Sequence, residues 1–336
     1  MLASSLLLGW RAFQGHMVES FSGAKESNPV RVGICITGQL CRLELSSKYT
    51  NLMSGRALSV FSVLILQRGE DCVFTNARSP AQRIANKIDV EKWLRDRKVS
   101  GKVKYFDVGR EPHAHIHKRY VYSLDKNGVV DPFKRAVNHW RQWQYMSACW
   151  DEFSQMQSMD FYLKLREDSV VLLPIDFSWF GAPVADPHSE GQVYTPECLS
   201  WGGVNDKVAL VTAGAAEHFF TAPINVYQEH YNDKICKHDS CHYVFNTYNP
   251  ETFLEQALRY TNVTIKRVTV DQLPIVTGEL HGTHFICFQQ RYRQLGSLTQ
   301  CLPASLQQNL FSYLSGKLFG GEDCFHVRIP KQRSVY

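Results

Sequence analysis

Two nucleotide-binding signatures are missing from this chain. No GxGxxG pattern follows its first strand-like run, and no GxxxxGK[ST] pattern is present. A dinucleotide site of the glycine-fingerprint kind and a P-loop are therefore not expected. Long apolar runs are missing too. The apolar part of residues 1–20 is only about eight residues, and Arg11, His16 and Glu19 follow it. A membrane span needs about 20 apolar residues. That stretch reads instead as the remainder of a leader or anchor, compatible with N-terminal membrane association, or as a start-site artefact, with residues 1–28 as leader or disordered linker. Basic residues are scattered rather than gathered in a stripe, so nucleic acid is not expected as a partner. No internal repeat or low-complexity tract is visible. The 10 cysteines are too few for a disulfide scaffold and many for a reducing compartment. Cys236 and Cys241 bracket KHDS, with His238 and His242 beside them. No second Cys/His pair stands at finger-like spacing, so a local disulfide or free thiols are expected there rather than zinc.

What is present is a chain of 336 residues with an ordinary apolar fraction, plentiful aromatics and a mild formal charge of +5. That length accommodates one large α/β domain. A modest positive charge suits an anionic small substrate. The most unusual stretch is 160–176, DFYLKLREDSVVLLPID. Residues 161–165 alternate apolar and polar around one lysine, as a short strand does. Arg166, Glu167, Asp168 and Ser169 follow at once, and then a second apolar run begins. In an open α/β sheet, ligands bind at the carboxyl ends of strands. Adjacent carboxylates there can hold a hard cation such as Mg²⁺ or Mn²⁺. A polar hairpin turn with Arg166 paired locally is the competing reading.

Along the chain, residues 30–37 (VRVGICIT) form a nearly continuous β-branched run, the pattern of a strand covered on both faces. Gly38-Gln39 ends it, and Arg42 follows shortly. A glycine there lets backbone approach a ligand closely. Residues 58–66 and 103–108 read as further strands. A helix is expected from Ser79 or Pro80 to about Arg95, and a long one over 133–156. The aromatic stripe of that long helix reads as core packing. His113, His115 and His117 alternate, but an exposed loop is the expectation. Residues 192–195, 207–211, 263–270 and 283–288 read as strands. Residues 213–231 and 304–318 read as helices. Asn249-Pro250-Glu251 opens a helix to about Tyr260: Asn249 caps, Pro250 takes the first turn, and Glu251 favours the positive end. Asn262-Val263-Thr264 is a glycosylation sequon. Strand and helix alternate up to about residue 175 and mix thereafter, which predicts a single compact domain with a Rossmann-like first half.

Four segments together resemble GT-A-type nucleotide-sugar glycosyltransferases, and more narrowly a poorly characterised Golgi-directed group of them. They are residues 32–42 (VGICITGQLCR), residues 143–168 (WQYMSACWDEF through DFYLKLRED), residues 201–211 (WGGVNDKVALV) and residues 249–258 (NPETFLEQAL). In order, they cover most of residues 30–290. The third is similar to a GG-x-ND segment of that group, and the fourth to its acidic helix start. The second ends where GT-A enzymes carry their metal-binding DxD variant. Here that place holds Glu167-Asp168 after Arg166, not a literal DxD.

The resemblance implies a GT-A-like mixed sheet flanked by helices over 29–320. Residues 29–175 would hold the nucleotide, residues 176–320 the acceptor, and 321–336 would be a tail. It implies transfer of a sugar from a nucleotide-diphosphate donor to a glycan or protein hydroxyl, in the Golgi or secretory lumen (cytoplasmic if the N-terminus is complete). Thr37, Gly38, Gln39, Arg42 and Arg166 would contact the nucleotide. Glu167, Asp168 and His284 would hold Mn²⁺ or Mg²⁺, and Asp206 or Glu251 would act as base. Some proteins of this type work without metal, through cationic side chains, a role open to Arg166. Two rivals remain. One is an inactive nucleotide- or glycan-binding protein on the same fold. The other is a nucleotidyltransferase, which would usually bring a glycine-rich loop with a signature lysine that Gly38-Gln39-Leu40 lacks. The transferase reading requires the first-strand loop and the Arg-Glu-Asp corner to share one cleft. Corners at opposite ends of the sheet, or an acidic pair buried in a closed salt-bridge knot, would end that reading and leave an α/β protein of unassigned role.

Overall fold

The computed structural model describes residues 29–55, 58–68, 89–107, 116–181, 191–197, 203–231, 249–281 and 284–288. Strand β1 (Val30–Gln39) lies inside a seven-stranded mixed sheet, third from one edge. Its neighbours are β2 (Leu58–Arg68) on one side and β4 (Phe161–Arg166) on the other, both parallel to it. Strand β3 (Gly101–Asp107) extends the β2 side, again in parallel. Beyond β4 lie β7 (Val208–Thr212), antiparallel, then β6 (Gln192–Pro196), and β8 (Thr264–Val268) at the edge. The chain thus winds outward through β1, β2 and β3 and returns to start again on the other side of β1. The β1/β4 seam is the switch point of this topology, where an open α/β sheet leaves a crevice at its carboxyl edge.

Alternation along β1 explains why its run is apolar throughout. Val32, Ile34 and Ile36 enter one buried cluster, together with Leu64, Leu163, Leu165 and Leu210. Cys35 enters the opposite cluster with Val63, Ile65, Tyr162 and Val211, beneath two long helices. These helices, Pro132–Phe153 and Ala213–Tyr231, cover one face of the sheet. Such two-sided cover is what a continuous β-branched run demands.

Five helices of seven residues or more lie among the described residues. Helix α1 (Val90–Asp96) starts at Asp89, whose side chain accepts from the Lys92 amide at 2.8 Å. The expected long helix ending near Arg95 is thus confined to its last turns among the described residues. Residues 69–88 lie outside the described set. Helix α2 (Lys118–Lys126), not anticipated, is capped by His117, which accepts from the Arg119 amide. His117 is therefore a cap rather than one of three ligands on a strand. His113 and His115 lie outside the described residues, as do the Cys236/Cys241 segment and residues 304–318. Helix α3 (Pro132–Phe153) buries Trp140, Trp143, Tyr145 and Phe153, as core packing predicts. Helices α4 (Ala213–Tyr231) and α5 (Pro250–Tyr260) pack with it, and Trp143 stacks on Phe253 at 4.4 Å. Asn249 caps α5 by accepting from the Thr252 amide at 2.7 Å, as read from its sequence. No described helix is long and apolar enough to cross a membrane.

After β4 the chain turns at Glu167-Asp168 and leaves the main sheet. Strand β5 (Ser169–Val171) pairs instead with β9 (Ile275–His281), which pairs with β10 (His284–Phe288). The acidic corner is therefore the hinge between two sheets. A buried disulfide joins Cys35 of β1 to Cys149 of α3, with Cα atoms 5.9 Å apart. Sequence spacing gave no pointer to that pair.

Candidate functional site at the strand switch point

Parallel pairing sets Thr37 of β1 beside Arg166 of β4. The Glu167 amide then donates to the Thr37 carbonyl at 3.0 Å, so the two strand ends stay joined past the sheet. The first-strand loop and the Arg-Glu-Asp corner therefore share one edge. Thr37 is buried, while Gly38 and Gln39 are half-buried. Gly38 has φ +138°, and a Cβ there would overlap the Glu167 carboxylate. Glycine is required at this point by both conformation and space.

The corner is a buried ion-pair cluster, the arrangement set against the transferase reading above, although its two arginines stay 15% and 21% exposed at the edge. Arg166 grips Asp168 with two bonds, Nε to Oδ1 at 2.5 Å and Nη2 to Oδ2 at 2.7 Å. Arg42 reaches Asp168 Oδ2 through Nη2 and Glu167 Oε1 through Nε at 3.3 Å. Burial works to raise Asp168, but Arg166 and Arg42 outweigh it and hold its carboxyl at about 2. Burial raises Glu167, against the pull of Arg42. Its Oε2 is buried without a hydrogen-bond partner among the described residues.

Beneath the cluster lies a lysine that the sequence reading passed over. Lys48 is fully buried. Its ammonium donates to the carbonyls of Glu44 (2.7 Å), Glu167 (3.1 Å) and Ser169, and pairs with the Glu44 carboxylate at 3.5 Å. Ser47 adds a hydroxyl bond to Glu44 and receives the Val171 amide. The segment after β1 thus folds back and staples the corner. A Ser-Ser-Lys-Tyr run reads as solvated, and nothing in its pattern signals burial.

A second cluster stands at the same edge. Strand β7 runs antiparallel to β4, so its start lies at the end of β4, and Arg166 donates its amide to the Lys207 carbonyl at 2.8 Å. Lys207 bridges Asp206 (2.5 Å) and Glu251 (2.7 Å). Gln142 of α3 also donates to the Asp206 carboxylate, and Lys164 to its carbonyl. Asn205, not Asp206, holds the local turn, accepting from the Lys207 and Val208 amides. Gly203 is pressed against the Glu251 backbone, where a Cβ would overlap it. Burial raises Asp206, yet Lys207 and Lys164 outweigh it and hold its carboxyl well below the usual carboxylate range. Burial, with Asp206 adding to it, pushes Glu251 up to about 7. Burial also brings Lys164 down to about 8. The lysine inside the apolar run 161–165 was the sequence signal for this cluster.

Of the ten candidate residues, the fold gathers nine at this edge. His284 belongs to β10, and its side chain lies outside the described residues. The carboxylates as placed do not fit a divalent cation. Both Asp168 oxygens and Glu167 Oε1 are engaged by guanidinium groups. No group of three or more His, Cys, Asp or Glu among the described residues is arranged to hold a metal ion.

A cavity of about 600 Å³ opens elsewhere, lined by Asp160, Trp179, Tyr194, Lys266 and Gln272 among others. It lies at the opposite end of β4, roughly 20 Å from Arg166 at ~3.3 Å per residue. Nothing in the sequence pointed to it, and the cation-rich edge is the better candidate on its chemistry.

No family model matches this chain, and no curated protein matches it. Among solved structures, mouse xyloside xylosyltransferase 1 in its apo form is 10% identical, covering 73% of this chain and 86% of that one at a TM-score of 0.34. The glycosyltransferase GlyE of Streptococcus pneumoniae TIGR4 is 11% identical, covering 73% of this chain and 46% of that one at 0.32. Its apo form is 12% identical, with 71% and 45% covered, also at 0.32. The chain spans under half the length of GlyE. Likeness this slight assigns neither family nor activity, and the fold rests on the strand order described above.

Proposed function

We propose that this chain is a GT-A-type glycosyltransferase. It would move a sugar from a nucleotide-diphosphate donor to a hydroxyl on a glycan or protein, at the carboxyl edge of the β1/β4 seam. One observation carries the reading. The Thr37–Arg42 loop, the Arg166–Asp168 corner, Asp206 and Glu251 come from four separated segments and meet at the switch point, where such sheets bind ligands.

The chemistry follows from the charges. Arg42 and Arg166 would face the diphosphate and stabilise it as it leaves. Glu251, ionised, would accept the acceptor hydroxyl's proton while that oxygen attacks the anomeric carbon and the electron pair goes to the departing phosphate oxygen. Asp206, held ionised, would fix Lys207 and through it Glu251. Carriage of the reaction in the secretory lumen is part of the same proposal. The buried Cys35–Cys149 disulfide supports it, as such bonds persist in oxidising compartments, and so does the exposed Asn262 of the sequon.

The closed ion pairs at Asp168 favour a second reading, a catalytically inactive nucleotide-binding protein. A panel of nucleotide-diphosphate sugars with hydroxyl acceptors separates the two. The transferase reading expects release of nucleoside diphosphate with at least one donor. It also expects Glu251→Gln to slow release by roughly 10²–10⁴-fold, the usual share of general base catalysis, with nucleotide binding kept. Binding without release from any donor would favour the inactive protein.

A further inference from the structure

The donor edge is already charge-balanced. Arg42, Lys48 and Arg166 stand against Glu44, Glu167 and Asp168, three cations to three carboxylates. Its layering is the decisive feature. The side chains of Glu167 and Asp168 are each 3% exposed, whereas Arg42 and Arg166 are 15% and 21% exposed. An incoming ligand meets guanidinium first and carboxylate second. A dication in this place would displace the arginines from their carboxylates and add two positive charges to a buried, neutral group, which desolvation opposes.

The arginines also keep donors in reserve. Each spends Nε and Nη2 on the carboxylates, and neither Nη1 has a partner among the described residues. A guanidinium gripped on one side by a carboxylate is held in a fixed plane, and its remaining N–H groups match the oxygens of a phosphate.

We infer that this edge binds its diphosphate without a divalent cation, through the paired guanidiniums of Arg42 and Arg166, and that Asp168 is the positioning residue that holds both. The inference rests on the proposed nucleotide-diphosphate reading of the site. It makes Asp168 a counter-charge to arginine where the resemblance implies a metal ligand.

Calorimetric titration of UDP, GDP and ADP into the full chain tests it, once in EDTA and once in Mn²⁺. The expected result is that at least one of them binds in EDTA and that Mn²⁺ changes its Kd less than about threefold, because no ligand position depends on metal. Arg166→Lys should weaken that binding roughly tenfold or more, since an ammonium cannot grip Asp168 and phosphate together. Asp168→Asn should weaken it in both buffers alike while melting shows a folded chain, and Asp168→Glu should restore part of it. Binding that appears only with Mn²⁺, or an Asp168→Asn defect confined to the Mn²⁺ buffer, would overturn the inference and leave the transferase reading standing. No binding in either buffer would overturn the reading on which it rests.

Discussion

Glu251 and Asp206 share one lysine yet are pushed in opposite directions, and this difference assigns their parts. Burial lifts Glu251 to about 7 against an ordinary 4.5, while Lys207 and Lys164 keep Asp206 ionised across the physiological range. A raised carboxyl pKa means the folded chain holds that proton more tightly than the unfolded one. The resulting stability is fully present below pH 4.5 and is lost as pH rises through about 7. Glu251→Gln should therefore remove a downward slope in stability on the order of 1–2 kcal/mol between pH 5 and 8. Urea melts at those two pH values would show it. Activity should move the other way. The rate should climb through about pH 7 as Glu251 ionises, and the variant should lose that limb. A rate that falls through the same window would remove Glu251 as base.

Gly38 makes a second test at single-residue scale. A Cβ there meets a buried carboxylate at a φ of +138°, so Gly38→Ala should cost about 1–3 kcal/mol and weaken nucleotide binding with it. A thermal melt unchanged by the substitution would mean that the corner is slack. Arg166 and Asp168 stood out in the sequence as charge packed at a strand end, and Arg42 entered through the resemblance. Their pairing was not legible there, since it depends on the β1/β4 register.

At the scale of elements, the segment between β1 and β2 does more than connect them. Lys48 satisfies three carbonyls that turn inward at the corner, and Ser47 accepts the amide of Val171 at the end of β5. Lys48→Met keeps the length of the side chain and removes every donor. It should cost roughly 2–4 kcal/mol, as unsatisfied buried carbonyls and an orphaned Glu44 do. Amide exchange at β5 should speed up with it. Exchange unchanged at β5 would show the staple to be incidental. Elements with their own punctuation were legible: the Asn249-Pro250-Glu251 start of α5, the full span of α4, and β1. Helix α2 and the hinge of β5 into a second sheet were not, because both are decided by partners distant in the chain.

At the scale of the whole molecule, one covalent tie crosses the layers among the described residues. The Cys35–Cys149 bond joins β1 to the helix above it across a separation of 114 residues. Closing so long a loop stabilises a fold by about 5 kcal/mol in the chain-entropy account. The Cys35→Ala/Cys149→Ala pair should therefore melt well below the wild type, and a reductant should lower the wild-type melt toward it. Equal melts with and without reductant would mean that the bond does not form. The alternation of strands and helices was readable as an α/β class. The strand order, and with it the switch point that gathers residues 37–42, 166–168, 206 and 251, was not, since hydrophobic period says nothing about which strand neighbours which.

The central claim is spatial, and a ligand-bound crystal structure tests it most directly. Crystals grown or soaked with UDP, GDP or ADP should show diphosphate density against Arg42 and Arg166, at the carboxyl ends of β1 and β4. Density in the cavity beside Trp179 and Lys266, with the arginine edge bare, would contradict the account.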